Sequence, residues 1–202
     1  MVSAVLEIPT PLPRSIVFDP PLSDEQFERL SMSCEFASLE RTKEGAIIVN
    51  APAGSETSDG NREITTQLCI WWKSHRRGRA YDATAGFILA DGSTLSPDAA
   101  YITAEQLTGL KRGERARFLR LAPAFVIELL SQSDRLEVAK EKMTSWIDNG
   151  VQLAWLMDPY ARQVYVYTPN APLRIETGGQ VAGSGPVEGL VLDLNEIWNC
   201  YE

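Results

Sequence analysis

A small set of charged residues in this chain is placed where it could do chemistry. Asp98 interrupts the apolar run Ser96-Pro97-Asp98-Ala99-Ala100-Tyr101, and Glu128 interrupts Ala124-Phe125-Val126-Ile127-Glu128-Leu129-Leu130. A carboxylate within a half-buried strand is costly unless it binds something. Two of them on neighbouring strands can hold a divalent cation. Downstream, Lys140 and Lys142 fall on a helix within reach of the same place. Glu40, on an earlier strand, offers a further ligand or a hold on a metal-bound water. This donor set suits phosphodiester hydrolysis, in which a cation neutralises charge and activates a water. Magnesium takes one or two carboxylates and keeps several waters. The Leu129 carbonyl could add a third oxygen, and a lysine could orient the water or stabilise developing charge. The local pattern by itself also allows two unrelated strand-end carboxylates.

Composition removes the main competitors. The only histidine, His75, leaves no basis for a Ser/His/Asp triad or a histidine-rich zinc site. Cys34, Cys69 and Cys200 are odd in number and far apart, so they read as reduced thiols in or near the core. Catalysis must therefore rest on carboxylates and lysines. The formal net charge of −8 argues against broad non-specific nucleic-acid binding. Two basic clusters could still form a local DNA-binding surface: Lys73, Arg76, Arg77 and Arg79, then Lys111, Arg112, Arg115, Arg117 and Arg120. Arg76, Arg77, Arg112 and Arg115 are its candidates; the competing reading is solvated helix ends and loops. No apolar run approaches the roughly 20 residues of a membrane span, and residues 1–13 lack the pattern of a signal peptide. The expected location is the cytoplasm.

The elements that must position these residues can be read in order. Residues 1–22, with Pro9, Pro11, Pro13, Pro20 and Pro21, form an expected extended arm, and residues 23–202 a single domain. Ser23 caps a helix that ends near Cys34 or Ala37. Ser38 to Val49 reads as a hairpin turning at Lys43-Glu44-Gly45. Residues 51–61 read as a loop. A helix follows from about Asn61 to His75, carrying Ile64, Leu68, Trp71 and Trp72 on its apolar face, with Gly78 as its stop. Strands are expected over 80–89, 95–102 and 125–130, with a short helix from Thr103 to Leu110. Ser131 and Asp134 fit a capping pattern for the next helix, whose stripe is Leu136, Ala139, Met143, Trp146 and Ile147. Lys140 and Lys142 flank that stripe on opposite sides, so either could serve. A hairpin around Asp158-Pro159-Tyr160, strands near 173–177 and 190–192, and a helix over 194–198 complete the chain. This order predicts an α+β fold with a mixed sheet flanked by helices.

These residues also carry a resemblance. Asp98, Glu128 and a downstream lysine resemble the PD-(D/E)XK nuclease superfamily, and within it the chain resembles the Uma-type restriction endonucleases. The likeness covers roughly residues 27–198. It rests on Ala51-Pro52-Ala53-Gly54 with Asn61, and on Ser96-Pro97-Asp98-Ala99. It continues through Phe125 to Asp134, Glu141-Lys142-Met143, and Asn149 to Pro159. The resemblance implies a restriction-endonuclease-like fold and a metal site of Asp98 and Glu128 binding Mg²⁺ or Mn²⁺. It implies catalytic roles for Glu40, Asp98, Glu128 and Lys142. It selects Lys142 through the pattern that places Trp146 and Gly150 after it. Two departures stand out: Leu130 occupies the position two after Glu128 where the superfamily has lysine, and Gln132 replaces a common proline.

Two functions of different class follow. One is a metal-dependent endonuclease hydrolysing DNA, for which a homodimer would supply two sites for double-strand cutting. The other is a DNA-binding or regulatory module on the nuclease fold with little or no catalysis. Leu130 and the acidic charge favour the second; the four retained residues favour the first. A carboxylate-pair glycosidase is a distant third, lacking an aromatic sugar platform.

Overall fold

The computed structural model describes residues 14–202 apart from Arg112. Pro9, Pro11 and Pro13 of the expected arm, and Arg112, lie outside the described residues. The elements in chain order are β1 (Arg14–Ile16), α1 (Asp24–Ser33), β2 (Ser38–Arg41), β3 (Ile47–Asn50), α2 (Ser55–His75), β4 (Arg79–Asp82), β5 (Phe87–Ile88) and β6 (Thr94–Leu95). They continue with β7 (Ala99–Ile102), α3 (Ala104–Thr108), β8 (Phe125–Leu129), α4 (Leu136–Asp148), β9 (Leu153–Asp158), β10 (Gln163–Tyr167), β11 (Arg174–Glu176), β12 (Gln180–Ala182), β13 (Val191–Asp193) and α5 (Leu194–Trp198).

These strands build a six-stranded sheet ordered β11-β10-β9-β8-β7-β4 and a five-stranded sheet ordered β1-β3-β2-β6-β5, with β12-β13 as a separate ribbon. Within the larger sheet only β8 and β9 run parallel, joined through α4. The expected mixed sheet with flanking helices is what forms. Side chains alternate along β8. Phe125, Ile127 and Leu129 face α2, where they pack with Ile64 and Leu68. Val126 and Leu130 face α4, where they pack with Met143 and Trp146. Glu128 belongs to that second series. The smaller sheet is closed by α1, whose Phe27 packs on Leu39, Ile47 and Val49. Ser23 and Gln26 form a reciprocal cap at its start. No helix among the described residues is long and apolar enough to cross a membrane.

Several expected boundaries move, each for a physical reason. The helix expected from Asn61 begins at Ser55, in a stretch of Ser, Thr, Asp and Gly. Thr57 and Gly60 are buried there, and packing overrides weak helix propensity. A Cβ on Gly60 would lie 2.9 Å from Leu129 Cδ2 and 3.0 Å from the Tyr201 ring, so the missing side chain is what lets α2 approach β8. That helix ends at Arg76, which takes left-handed backbone with φ 55°. Gly78 serves the next turn instead, since a Cβ there would meet the Ile102 carbonyl at 2.2 Å.

The expected strand over 80–89 splits into β4 in the larger sheet and β5 in the smaller one. Asp82 turns the chain by accepting bonds from Thr84 N and Oγ1. The expected strand over 95–102 splits likewise, because Pro97 has no N–H for a ladder. The chain therefore crosses between sheets at Ser96-Pro97-Asp98, and Asp98 stands just before β7. Finally, Ser131 and Asp134 form a turn of their own, while α4 starts at Leu136 without a side-chain cap.

Candidate active site

The crossing at Ser96-Pro97-Asp98 brings the two sheets together, and four charged side chains meet there. Asp98 Oδ2 accepts a hydrogen bond from Leu129 N at 2.8 Å, and Oδ1 accepts one from Asn61 Nδ2 at 2.9 Å. The antiparallel register sets Ala99 opposite Ile127, which puts Asp98 at the level of Glu128. Glu128 Oε1 accepts from the indole Nε1 of the fully buried Trp146 at 2.8 Å. Lys142 lies one helical turn before Trp146 and reaches the same carboxylate from the same face of α4. Its Nζ is 2.8 Å from Glu128 Oε1 and 2.9 Å from Glu40 Oε1. Glu40, from β2 of the smaller sheet, also accepts from Ser96 N at 2.9 Å and from Asn50 Nδ2 at 3.4 Å. A glutamate from one sheet, two carboxylates from the other and a lysine from the covering helix thus share one site.

The electrostatics follow from burial and crowding. Burial pushes Glu128 up to about 8, against the pull of the Lys142 charge, and the neighbouring Asp98 and Glu40 carboxylates push it further. Burial also raises Asp98, opposed by the Leu129 amide, Lys142 and the Asn61 amide. Burial would depress Lys142, but the Glu128 and Glu40 carboxylates raise it overall, so it stays an ammonium.

Among the described residues, no three Asp, Glu, His or Cys side chains form a ready-made cage for a metal ion. The Lys142 ammonium stands between two of the three carboxylates. The donor set nonetheless fits a hard cation. Asp98, just before β7, and Glu128, on the adjacent β8, are oxygen donors that burial lifts from their ordinary range, and a divalent ion at that pair would favour their charged forms.

Lys140 is not in this group. It pairs with Glu137 at 2.9 Å and lies 5.2 Å over the Tyr165 ring. Arg76 and Arg77 are exposed at the far end of α2, about 22 Å along its axis from Asn61 at the usual helical rise. Arg115 is exposed and donates to the Leu107 carbonyl at 2.8 Å. Arg120 pairs with Asp24 at 2.6 Å, and Arg117 approaches Glu28 at 3.9 Å. Two of the described arginines, Arg117 and Arg120, thus face α1, and Arg76 and Arg77 stand a helix length from Asn61. Reading the sequence for chemistry missed Asn61 and Asn50 as contacts of the carboxylates. Asn61 carried a signal, as a polar residue one turn before Ile64 on the apolar face of α2.

A family described as Uma2, "putative restriction endonuclease", matches this chain over residues 24–195. No curated protein matches significantly. Among solved structures, the chain is similar to a "putative nuclease belonging to DUF820" from Anabaena variabilis. The TM-score is 0.73 at 20% sequence identity, over 90% of this chain and 100% of that one. At that identity the likeness shows a shared fold.

Proposed function

This chain belongs to the Uma2 restriction-endonuclease family, and we propose that it is a metal-dependent endonuclease that hydrolyses DNA phosphodiester bonds. One observation carries this reading. Glu40, Asp98, Glu128 and Lys142 come from four separate elements and converge at one junction. Asp98 and Glu128 would hold the cation, Mg²⁺ or Mn²⁺. When bound, it supplies neutralisation of phosphate charge and a water that ionises near neutral pH. Glu40 fixes the Ser96 amide and the Lys142 ammonium at the junction. The Lys142 ammonium, held charged by its carboxylates, is set to stabilise negative charge developing on the phosphate. A homodimer would present two such sites to the two strands of a duplex.

The test is incubation of purified protein with supercoiled plasmid and with single-stranded DNA, in Mg²⁺, Mn²⁺ or EDTA. Nicked or linear products with metal, absent in EDTA and in Asp98→Asn, are expected. Intact DNA under every condition would overturn the reading.

A second reading is a DNA-binding or regulatory module on the nuclease fold. It is favoured by the arginines that stand away from the carboxylates, and by Lys142 already balancing Glu40 and Glu128. It predicts metal-independent, salt-sensitive DNA binding without cleavage.

A further inference from the structure

We propose that Asn61 is a positioning residue of this site, its amide group orienting Asp98 and its carbonyl oxygen accepting a hydrogen bond from a water of the cation's shell. This rests on the reading of Asp98 and Glu128 as the metal pair.

Asn61 Nδ2 donates to Asp98 Oδ1 at 2.9 Å. A carboxylate presents only acceptors, so the donor end of the amide must face it. That leaves Asn61 Oδ1 on the other side, where it is buried and has no partner in the protein. A second polar atom nearby is in the same condition. The Tyr201 hydroxyl is buried without a hydrogen-bond partner, 3.0 Å from where a Cβ on Gly60 would lie. Buried polar groups are nearly always paired with protein or ordered water. These two atoms, one on α2 and one on the C-terminal turn that packs against Gly60, mark a place built for polar occupants.

The approach is also constructed. Only because residue 60 is glycine can α2 lie against Leu129 and the C-terminal turn, and that approach seats Asn61 on Asp98. An amide oxygen accepts and cannot donate, whereas a water bound to a cation is a strong donor. Residues that orient metal ligands in this way are worth about 10–100-fold in metal affinity.

The experiment is calorimetric titration with Mn²⁺, together with thermal unfolding with and without Mn²⁺. It compares wild type, Asp98→Asn, Asn61→Ala, Asn61→Ser and Asn61→Asp. Asn61→Ala should weaken Mn²⁺ binding about 10–100-fold, with Asn61→Ser, smaller and still polar, falling between it and wild type. Asn61→Asp should melt lower without metal, because two carboxylates then face each other. Mn²⁺ should raise its melting temperature more than it raises that of wild type. A merely structural Asn61 would lower the melting temperature of every variant, leave Mn²⁺ affinity unchanged and give Asn61→Asp no extra rescue. That result overturns the inference alone, provided that wild type binds Mn²⁺ and Asp98→Asn does not. If wild type binds no Mn²⁺, the metal-site reading falls and this inference falls with it.

Discussion

Replacing Lys142 with methionine removes the ammonium and keeps the length of the stem. Its Nζ is 2.9 Å from Glu40 Oε1 and 2.8 Å from Glu128 Oε1, and the side chain is 25% exposed. The variant leaves two buried carboxylates without their shared cation. Breaking a buried pair from one side costs about 3–5 kcal/mol, and the partial exposure puts this one near 3 kcal/mol. The cost should grow with pH. A carboxyl raised in the folded state contributes stability that is full below its unfolded value, here 4.5, and is lost as pH climbs through the folded value, here about 8. The Lys142 charge opposes that rise, so the variant's Glu128 titrates higher still. Above about pH 8 wild type has finished losing this contribution, while the variant keeps losing about 1.4 kcal/mol per pH unit. Urea unfolding at about pH 6 and about pH 9 measures the difference. The deficit should be larger at the higher pH, and adding Glu40→Gln should recover part of it. Equal deficits at both pH values would refute the coupling of Lys142 to Glu128. In DNA cleavage the same variant should lose about 10²–10³ in rate, without a loss of Mn²⁺ affinity.

Lys140→Ala should change stability by no more than about 0.5 kcal/mol and leave cleavage unchanged, because its partner Glu137 is exposed. Asp98→Asn should abolish Mn²⁺ binding in calorimetry while far-ultraviolet circular dichroism stays that of the folded chain; equal affinity in the two proteins would remove Asp98 from the site. Trp146→Phe removes the indole donor from Glu128 Oε1, leaving Lys142 Nζ as its remaining partner, and puts a smaller ring in a fully buried site, costing about 1–3 kcal/mol in urea unfolding. Charge reversal at Arg76 and Arg77 should weaken DNA binding at low salt and flatten its salt dependence. An unchanged titration would return these arginines to plain solvated surface.

The elements that were legible in the sequence are those whose periodicity is set by one face. The Phe27 helix, the hairpin turning at Gly45, the apolar run of β8 and the Met143–Trp146 stripe all emerged near their expected places. The failures occurred where the chain changes partners. Residues 55–60 have the composition of a loop and became helix because Thr57 and Gly60 are buried. Residues 80–89 and 95–102 have the pattern of single strands, yet each is divided between two sheets. Alternation records that a residue faces a core, but not which of two cores it faces. β12 was not anticipated because Val181 alone among its three residues is buried, too short a pattern to show a period.

The same limit explains why the lysine could not be chosen from spacing. Leu130 follows Glu128 by two residues and so points to the same face of the larger sheet. In this chain that position is core, 6% exposed among Met143, Trp146 and Val151. An ammonium there would have to be buried beneath α4. Lys142 instead approaches Glu128 from α4 itself, one turn before the Trp146 that donates to the same carboxylate. The helix can supply the charge because Trp146 fixes its rotation over the sheet. Lys140, two residues away, is turned by about 200° around the axis and finds Glu137 and Tyr165 instead. The third partner, Glu40, comes from a different sheet, so only the tertiary structure could show that Lys142 has two carboxylates to bridge and Lys140 has none of them.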